Sequence, residues 1–209
     1  MSDHQENAGE HYPVLSSTNV FRGRVITVRT DEVRMSDGST AIREVVAHPG
    51  AVAVVALDDD DQIVMVNQYR HPVGRTLDEL PAGLLDVPGE APLAAARREL
   101  FEEAGLTARR WDLLLDVHTS PGMSDEMIRI FLGRELAEVD LAERFTPEAE
   151  EITMTVHRMP LTEAVRRALS GGITNAAAVA GILATAAAKA DDWKSLRGVG
   201  GLDRPRSMT

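Results

Sequence analysis

The stretch from Gly83 to Leu106, GLLDVPGEAPLAAARRELFEEAGL, constrains this chain more than any other. At about 100° per residue, Glu99, Glu102 and Glu103 fall within about 100° of arc on a helix. Leu93, Ala96, Leu100 and Ala104 recur at spacings of three and four on another side. One face is therefore core and the other a carboxylate patch. The ends are marked too: Pro88-Gly89 signals a turn, Glu90 near the start suits the helix dipole, and Gly105 reads as a C-cap. Like charges three and four residues apart repel by roughly a few tenths of a kcal/mol per pair, a penalty that a bound cation removes. Hard divalent ions take oxygen ligands and share their remaining positions with substrate phosphates. Three carboxylates with no Cys or His beside them suit Mg²⁺ or Mn²⁺ better than zinc, which makes Glu99, Glu102 and Glu103 the candidate metal ligands. The competing reading of the same pattern is a solvated acidic face.

A longer pattern surrounds these acids. Glu90, then seven residues, then Arg98-Glu99-Leu100-Phe101-Glu102-Glu103-Ala104-Gly105-Leu106 resembles the Nudix box, G-x5-E-x7-R-E-U-x-E-E-x-G-U with U apolar. Every fixed position from Glu90 onward matches. The opening glycine does not: Leu84 stands where the box has it, and Gly83 comes one place earlier. A one-residue insertion around Val87-Pro88-Gly89 accounts for the offset. The resemblance implies an α/β/α sandwich with a mixed sheet, in which the box forms a loop-helix-loop at one edge. It also implies hydrolysis of a diphosphate, with the backbone carbonyl of Ala82 as one more metal ligand. Glu90 and Arg98 are expected to hold the loop as an ion pair.

Composition agrees with an enzyme of this kind. The net charge of −11 argues against nonspecific nucleic-acid or acidic-membrane partners, so an anionic substrate needs a metal or local positive charge. The absence of cysteine excludes disulfides and thiolate chemistry. No apolar run approaches the ~18 residues of a membrane span, and the polar, acidic start MSDHQENAGEHYP is unlike a signal peptide. The expected compartment is the cytoplasm.

Along the chain, residues 1–14 and 195–209 read as tails. Residues 15–48 read as a small antiparallel β domain, with alternating stretches at Asn19 to Val28 and Ala41 to Ala47 around the hairpin signal Ser36-Asp37-Gly38. Residues 49–194 read as the α/β domain. Its expected strands are 51–57, 63–68, 112–117, 127–132 and 152–157, and its helices, besides that of the box, 161–169 and 174–189. The four aspartates Asp58 to Asp61 read as a solvated turn. The last helix is so rich in alanine that it must pack closely to be stable.

Substrate class is set outside the box. Two features resemble the ADP-ribose pyrophosphatase branch of Nudix hydrolases: Ser120-Pro121-Gly122, whose proline lies fifteen residues beyond Leu106, and the amino-terminal β domain, which in that branch is exchanged across a homodimer. The resemblance implies cleavage of ADP-ribose to AMP and ribose 5-phosphate. Another nucleoside-diphosphate sugar such as ADP-glucose is the alternative substrate, and a noncatalytic nucleotide sensor the alternative outside catalysis. In that branch the general base is a glutamate on a loop well after the box. Here Thr146-Pro147-Glu148-Ala149-Glu150-Glu151 matches, with Glu151 the first candidate and Glu148 the second. Arg43 and Arg70 are candidates to grip phosphate or stack on adenine, Glu79 is a candidate metal-side or ribose-side acid, and ordinary ion pairing is the alternative for each.

Overall fold

The computed structural model describes residues 12–139 and 154–200. The chain divides into two compact units. One holds the described residues up to Pro49 together with Ser120–Glu126, and the other holds Gly50–Thr119 and the described residues from Met127 onward.

In the first unit β1 (Val14–Arg22), β2 (Thr27–Arg34) and β3 (Thr40–Ala47) form an antiparallel sheet in that order. The β2–β3 hairpin turns at the expected Ser36-Asp37-Gly38, where Met35 N donates to Ser39 O at 2.8 Å and Asp37 Oδ1 accepts from Ser39 N at 2.9 Å. The stretch from Asn19 to Val28 is not continuous, which corrects the sequence reading. A tight turn in which Gly23 N donates to Ile26 O at 2.8 Å splits it into β1 and β2. Ser120–Glu126 is stitched to the end of β3: Val46 N donates to Met123 O at 2.8 Å, and Ser124 Oγ donates to Val46 O at 3.0 Å.

The second unit is layered. Its five-stranded sheet has the order β11 (Arg197–Gly198), β8 (Leu106–His118), β9 (Met127–Glu138), β4 (Ala51–Ala56) and β7 (Ala82–Leu84). The β4–β9 pair is parallel and its neighbours antiparallel, so the sheet is mixed. A three-stranded sheet has β5 (Gln62–Arg70) between β10 (Thr155–Pro160) and β6 (Arg75–Glu79). Strand β4 is AVAVVA with all six residues buried, the pattern of a strand covered on both faces. Val52, Val54 and Ala56 join Leu93, Ala96 and Leu100 of helix α1 (Pro92–Ala104) in one core. Ala53 and Val55 join Leu161 and Ala164 of α2 (Leu161–Leu169) and Ala178 and Ile182 of α3 (Ala176–Ala190) in the other. This is the expected α/β/α sandwich, preceded by an antiparallel sheet.

The alanines of α3 work as expected. A Cβ on Gly181 would stand 2.9 Å from both Leu80 Cδ1 and Val55 Cγ2, so small residues bring this helix onto the sheet. Asn175 caps its start by accepting from Ala178 N at 2.9 Å. The carboxyl-terminal segment is more structured than a tail from residue 195 implies. Arg197 and Gly198 pair with Leu113 and Asp112, and Trp193 lies against the Arg134 guanidinium, 4.3 Å from ring centroid to Cζ. Among the described residues no helix is long and apolar enough to cross a membrane.

Candidate active site

Helix α1 begins at Pro92, whose missing N–H is no loss in a first turn, and ends where Gly105 (φ 63°) returns its N–H to Phe101 O at 3.0 Å. Its core side is buried through Leu93, Ala96 and Leu100, which turns the acids toward one hub, Arg98. Arg98 Nε and Nη2 donate to the two oxygens of Glu90, each at 3.0 Å, and Nη1 donates to Glu99 Oε1 at 2.7 Å and Glu102 Oε2 at 3.0 Å. Glu90 precedes the N-cap Ala91 and grips Arg98 instead of sitting in the first helical turn, so its pairing replaces the dipole role read from the sequence. The guanidinium is held above its already high pKa, first by Glu90 and then by Glu99 and Glu102. Burial pushes the Glu99 carboxyl above the usual carboxylate range, against the pull of Arg98.

The remaining acid reaches strand β7. Ala82 N donates to Glu103 Oε2 at 2.9 Å. A Cβ placed on Gly83 would overlap the Glu99 carboxylate. The strand therefore lies directly against two glutamates one helical turn apart, and only glycine permits the approach. Gly83, and not Leu84, is thus the residue at this point of β7 that must lack a side chain. The turn before the helix, where an insertion is expected, is closed by Glu90 N donating to Val87 O at 3.1 Å. Residue spacing does not reveal this role of Gly83, because the overlap depends on the pairing of β7 with β4, Val52 opposite Gly83.

Among the described residues no three acidic or imidazole side chains stand close enough together to ligate one ion. The reason is visible in the hydrogen bonds: Glu99 and Glu102 are drawn to Arg98 and Glu103 to Ala82. The donor set nevertheless fits a hard divalent cation. It is all oxygen, carries more negative charge than Arg98 neutralises, and borders a strand whose missing Cβ leaves the Glu99 carboxylate its space.

The other candidates divide between the units. In the second, Arg70 and Glu79 meet each other: Arg70 Nε donates to Glu79 Oε1 at 2.9 Å and Nη2 to Oε2 at 2.6 Å, across the β5–β6 pair. Glu79 is buried, at 2 % exposure. In the first, Arg43 is exposed, donating to Ile42 O at 3.0 Å and approaching Met35 Sδ. Ser120, Pro121 and Gly122 form an exposed turn closed by Met123 N and Ser124 N, which donate to Ser120 O at 3.0 and 2.9 Å. Glu148 and Glu151 lie outside the described residues.

The chain matches known proteins along most of its length. A model of the NUDIX domain matches residues 47–172, more than half of the chain. The chain belongs to the Nudix family. A second model, the nucleoside diphosphate sugar hydrolase N-terminal domain, matches residues 13–46, the span of the first unit's sheet. The Nudix chain is 51 % identical over 178 residues, 84 % of either chain, to an ADP-ribose pyrophosphatase of Mycobacterium tuberculosis. It is 43 % identical over 123 residues, 59 % of this chain and 66 % of the relative, to an ADP-ribose pyrophosphatase of Bacillus subtilis. A crystal structure of an ADP compounds hydrolase superposes with a TM-score of 0.73 at 24 % identity, covering 87 % of this chain and 96 % of that one; this likeness concerns the Nudix fold alone. The enzyme class is that of Nudix hydrolases, which in general require a divalent metal.

Proposed function

We propose that this Nudix hydrolase cleaves the diphosphate of ADP-ribose with Mg²⁺, giving AMP and ribose 5-phosphate. The observation that carries the substrate is the 51 % identity, across 84 % of both chains, to a protein named for that activity. The chemistry rests on the acids of α1.

In this reading Glu99, Glu102, Glu103 and the Ala82 carbonyl hold the metal. When bound, it neutralises phosphoryl oxygens and lowers the pKa of water. Mn²⁺ satisfies the same oxygen donors. The chain's own groups do the rest. Arg98, anchored at two points by Glu90, fixes the carboxylates of Glu99 and Glu102. The N–H of Ala82 fixes one oxygen of Glu103. Glu151, with Glu148 as the alternative, takes a proton from the attacking water. The water oxygen bonds to one phosphorus, the bridging P–O bond breaks, and the second phosphate leaves with that oxygen. Arg43 is the more available of the two arginines for a substrate phosphate, since Arg70 is occupied by Glu79. In the proposal Arg70 and Glu79 act as a fixed pair, and Ser120-Pro121-Gly122 borders the substrate.

A homodimer belongs to the same proposal, with sites built partly by both copies. Support comes from the first unit, where every residue of β1 is exposed and Val14, Val20 and Phe21 are 57, 60 and 57 % exposed. The cytoplasm is the compartment we propose, in keeping with a chain that has no cysteine.

The test is incubation with Mg²⁺ and a panel of ADP-ribose, ADP-glucose, NADH and nucleoside triphosphates, with products separated by chromatography. AMP plus ribose 5-phosphate, with ADP-ribose much preferred, is the expected result. Preferred cleavage of another panel member reassigns the substrate, and tight binding without cleavage makes the protein a sensor.

A further inference from the structure

The first unit buries an ionised side chain in a sheet that is otherwise largely exposed. Asp31, on β2, is 6 % exposed and is the one buried acid or base of that unit among the described residues. A buried carboxylate is costly unless it is hydrogen-bonded and paired. Asp31 has both compensations. Ser17 Oγ, opposite it on β1, donates to Oδ1 at 2.6 Å, and Arg29 Nε donates to Oδ2 at 3.0 Å.

What Asp31 does to Arg29 is the informative part. By engaging Nε, it fixes the plane of the guanidinium and leaves an Nη for a second partner. That partner is Asp125, whose Oδ2 lies 3.8 Å from Arg29 Nη1. Asp125 in turn accepts from His48 N through Oδ1 at 2.8 Å, at the end of β3. The line Ser17, Asp31, Arg29, Asp125, His48 therefore runs from the outer strand β1 to the segment that carries Ser120-Pro121-Gly122. It meets that segment at Asp125, three residues beyond Gly122 and next to Ser124, whose N–H closes the turn on Ser120 O at 2.9 Å. An exposed ion pair such as Arg29–Asp125 contributes little to stability, but a guanidinium anchored on a buried acid holds a loop carboxylate in one place.

We propose that Asp31 is a positioning residue for the substrate turn, acting through Arg29 and Asp125. This rests on the reading that Ser120-Pro121-Gly122 borders the substrate. Asp31 itself touches no reacting group. Its effect is on where the turn stands, so it belongs to substrate affinity and not to the chemical step.

The experiment uses the full chain and compares Arg29→Gln, Asp125→Asn, the double variant, Asp31→Asn and the conservative Arg29→Lys. Two readouts are taken: amide hydrogen exchange without substrate, and kcat and KM for whichever panel nucleotide is cleaved. Arg29→Gln is expected to speed exchange at the His48 and Asp125 amides by about tenfold, with the β2–β3 ladder unchanged. KM is expected to rise about tenfold with kcat within about twofold, the mark of lost binding without lost chemistry. The double variant should match the single ones, because the two side chains act as a unit, and Arg29→Lys should recover part of the KM. Unchanged exchange at both amides overturns the relay whatever the substrate is. Faster exchange with an unchanged KM, or KM effects that multiply in the double variant, overturns its role in positioning the turn. Failure of the wild-type chain to cleave ADP-ribose while cleaving another panel member removes the substrate reading alone, and the relay is then judged on that other nucleotide.

Discussion

Gly83 is the residue whose absent side chain matters most, because the Glu99 carboxylate occupies the place a Cβ would take. Gly83→Ala must displace either β7 or Glu99, and the two are held by different forces: β7 by its pairing with β4, Glu99 by Arg98. Either displacement misplaces a proposed ligand, and a shift of about 1 Å at such a centre lowers turnover by about a hundredfold. Overpacking alone destabilises by about 1–3 kcal/mol. The expected outcome is a folded variant by circular dichroism, with a modest drop in melting temperature and turnover reduced by at least about a hundredfold; near-normal turnover would show that the cradle is not needed. The acids of α1 were legible in the sequence because all of them sit on one helix, where spacing alone fixes the face. The mutual pairing of Arg70 and Glu79 was not, because it depends on the β5–β6 register. Nor was Asp31, which stands beside Glu32 in β2 and is told apart from it only by its partners, Ser17 on β1 and Arg29.

Elements with a strong local signal were legible nearly to the residue: α2 spans the expected 161–169, and the box helix ends at the expected glycine. Strands β6 and β7 carry little periodicity in five and three residues, and they are defined only by their partners. The break between β1 and β2 is not legible because β1 is exposed along its whole length and β2 is mostly half-buried and polar-rich, so no continuous apolar face marks where one ends. In that sheet Asp31 gives a pH test. Its carboxyl is held below the ordinary carboxylate range, first by the Ser17 hydroxyl and then by Arg29, against the opposing effect of burial. The native state therefore binds fewer protons than the unfolded one between the two pKa values. The stabilisation is complete above the unfolded value and is lost as pH falls through the folded one. Ser17→Ala should raise the Asp31 pKa toward the ordinary range and shrink the loss of sheet stability on acidification, as read by carboxyl carbon NMR and by melting at acidic and neutral pH. An unmoved Asp31 titration in that variant would assign the lowering to Arg29 instead. In α3, Thr185 is fully buried and its hydroxyl has no hydrogen-bond partner among the described residues. Thr185→Val keeps the shape and removes the unsatisfied group, so it should stabilise the chain by about 1 kcal/mol in denaturant melts; a destabilised variant would reveal a hydrogen bond to the hydroxyl.

The two units differ in burial: the second has two buried cores, while in the first only Asp31 and Val33 of the sheet are buried among the described residues. In the second unit both faces of β4 are covered, whereas in the first β1 is exposed along its whole length and β3 carries Ile42 at 62 % exposure. The pairing of β1 with β2 is interrupted by a bulge between Asn19 and Phe21, and Val20 and Phe21 there are apolar and uncovered. A three-stranded sheet with an exposed apolar face and an unpaired edge is a surface for association, and the proposed second copy supplies the cover. Removing residues 1–48 is a blunt test of this, since Ser120–Glu126 packs with that unit and would lose its support too. Single charges are sharper. Val20→Glu and Phe21→Glu should each convert a dimer, measured by sedimentation equilibrium over a range of concentrations, into a monomer, because a carboxylate buried without a partner destabilises the interface by several kcal/mol. Turnover should fall together with dimer content, and should recover at concentrations high enough to restore the dimer if the sites are shared. A wild-type chain that stays monomeric at every concentration while hydrolysing substrate would refute the dimer, and a monomeric Phe21→Glu variant with full turnover would leave the dimer standing but place each site within a single chain.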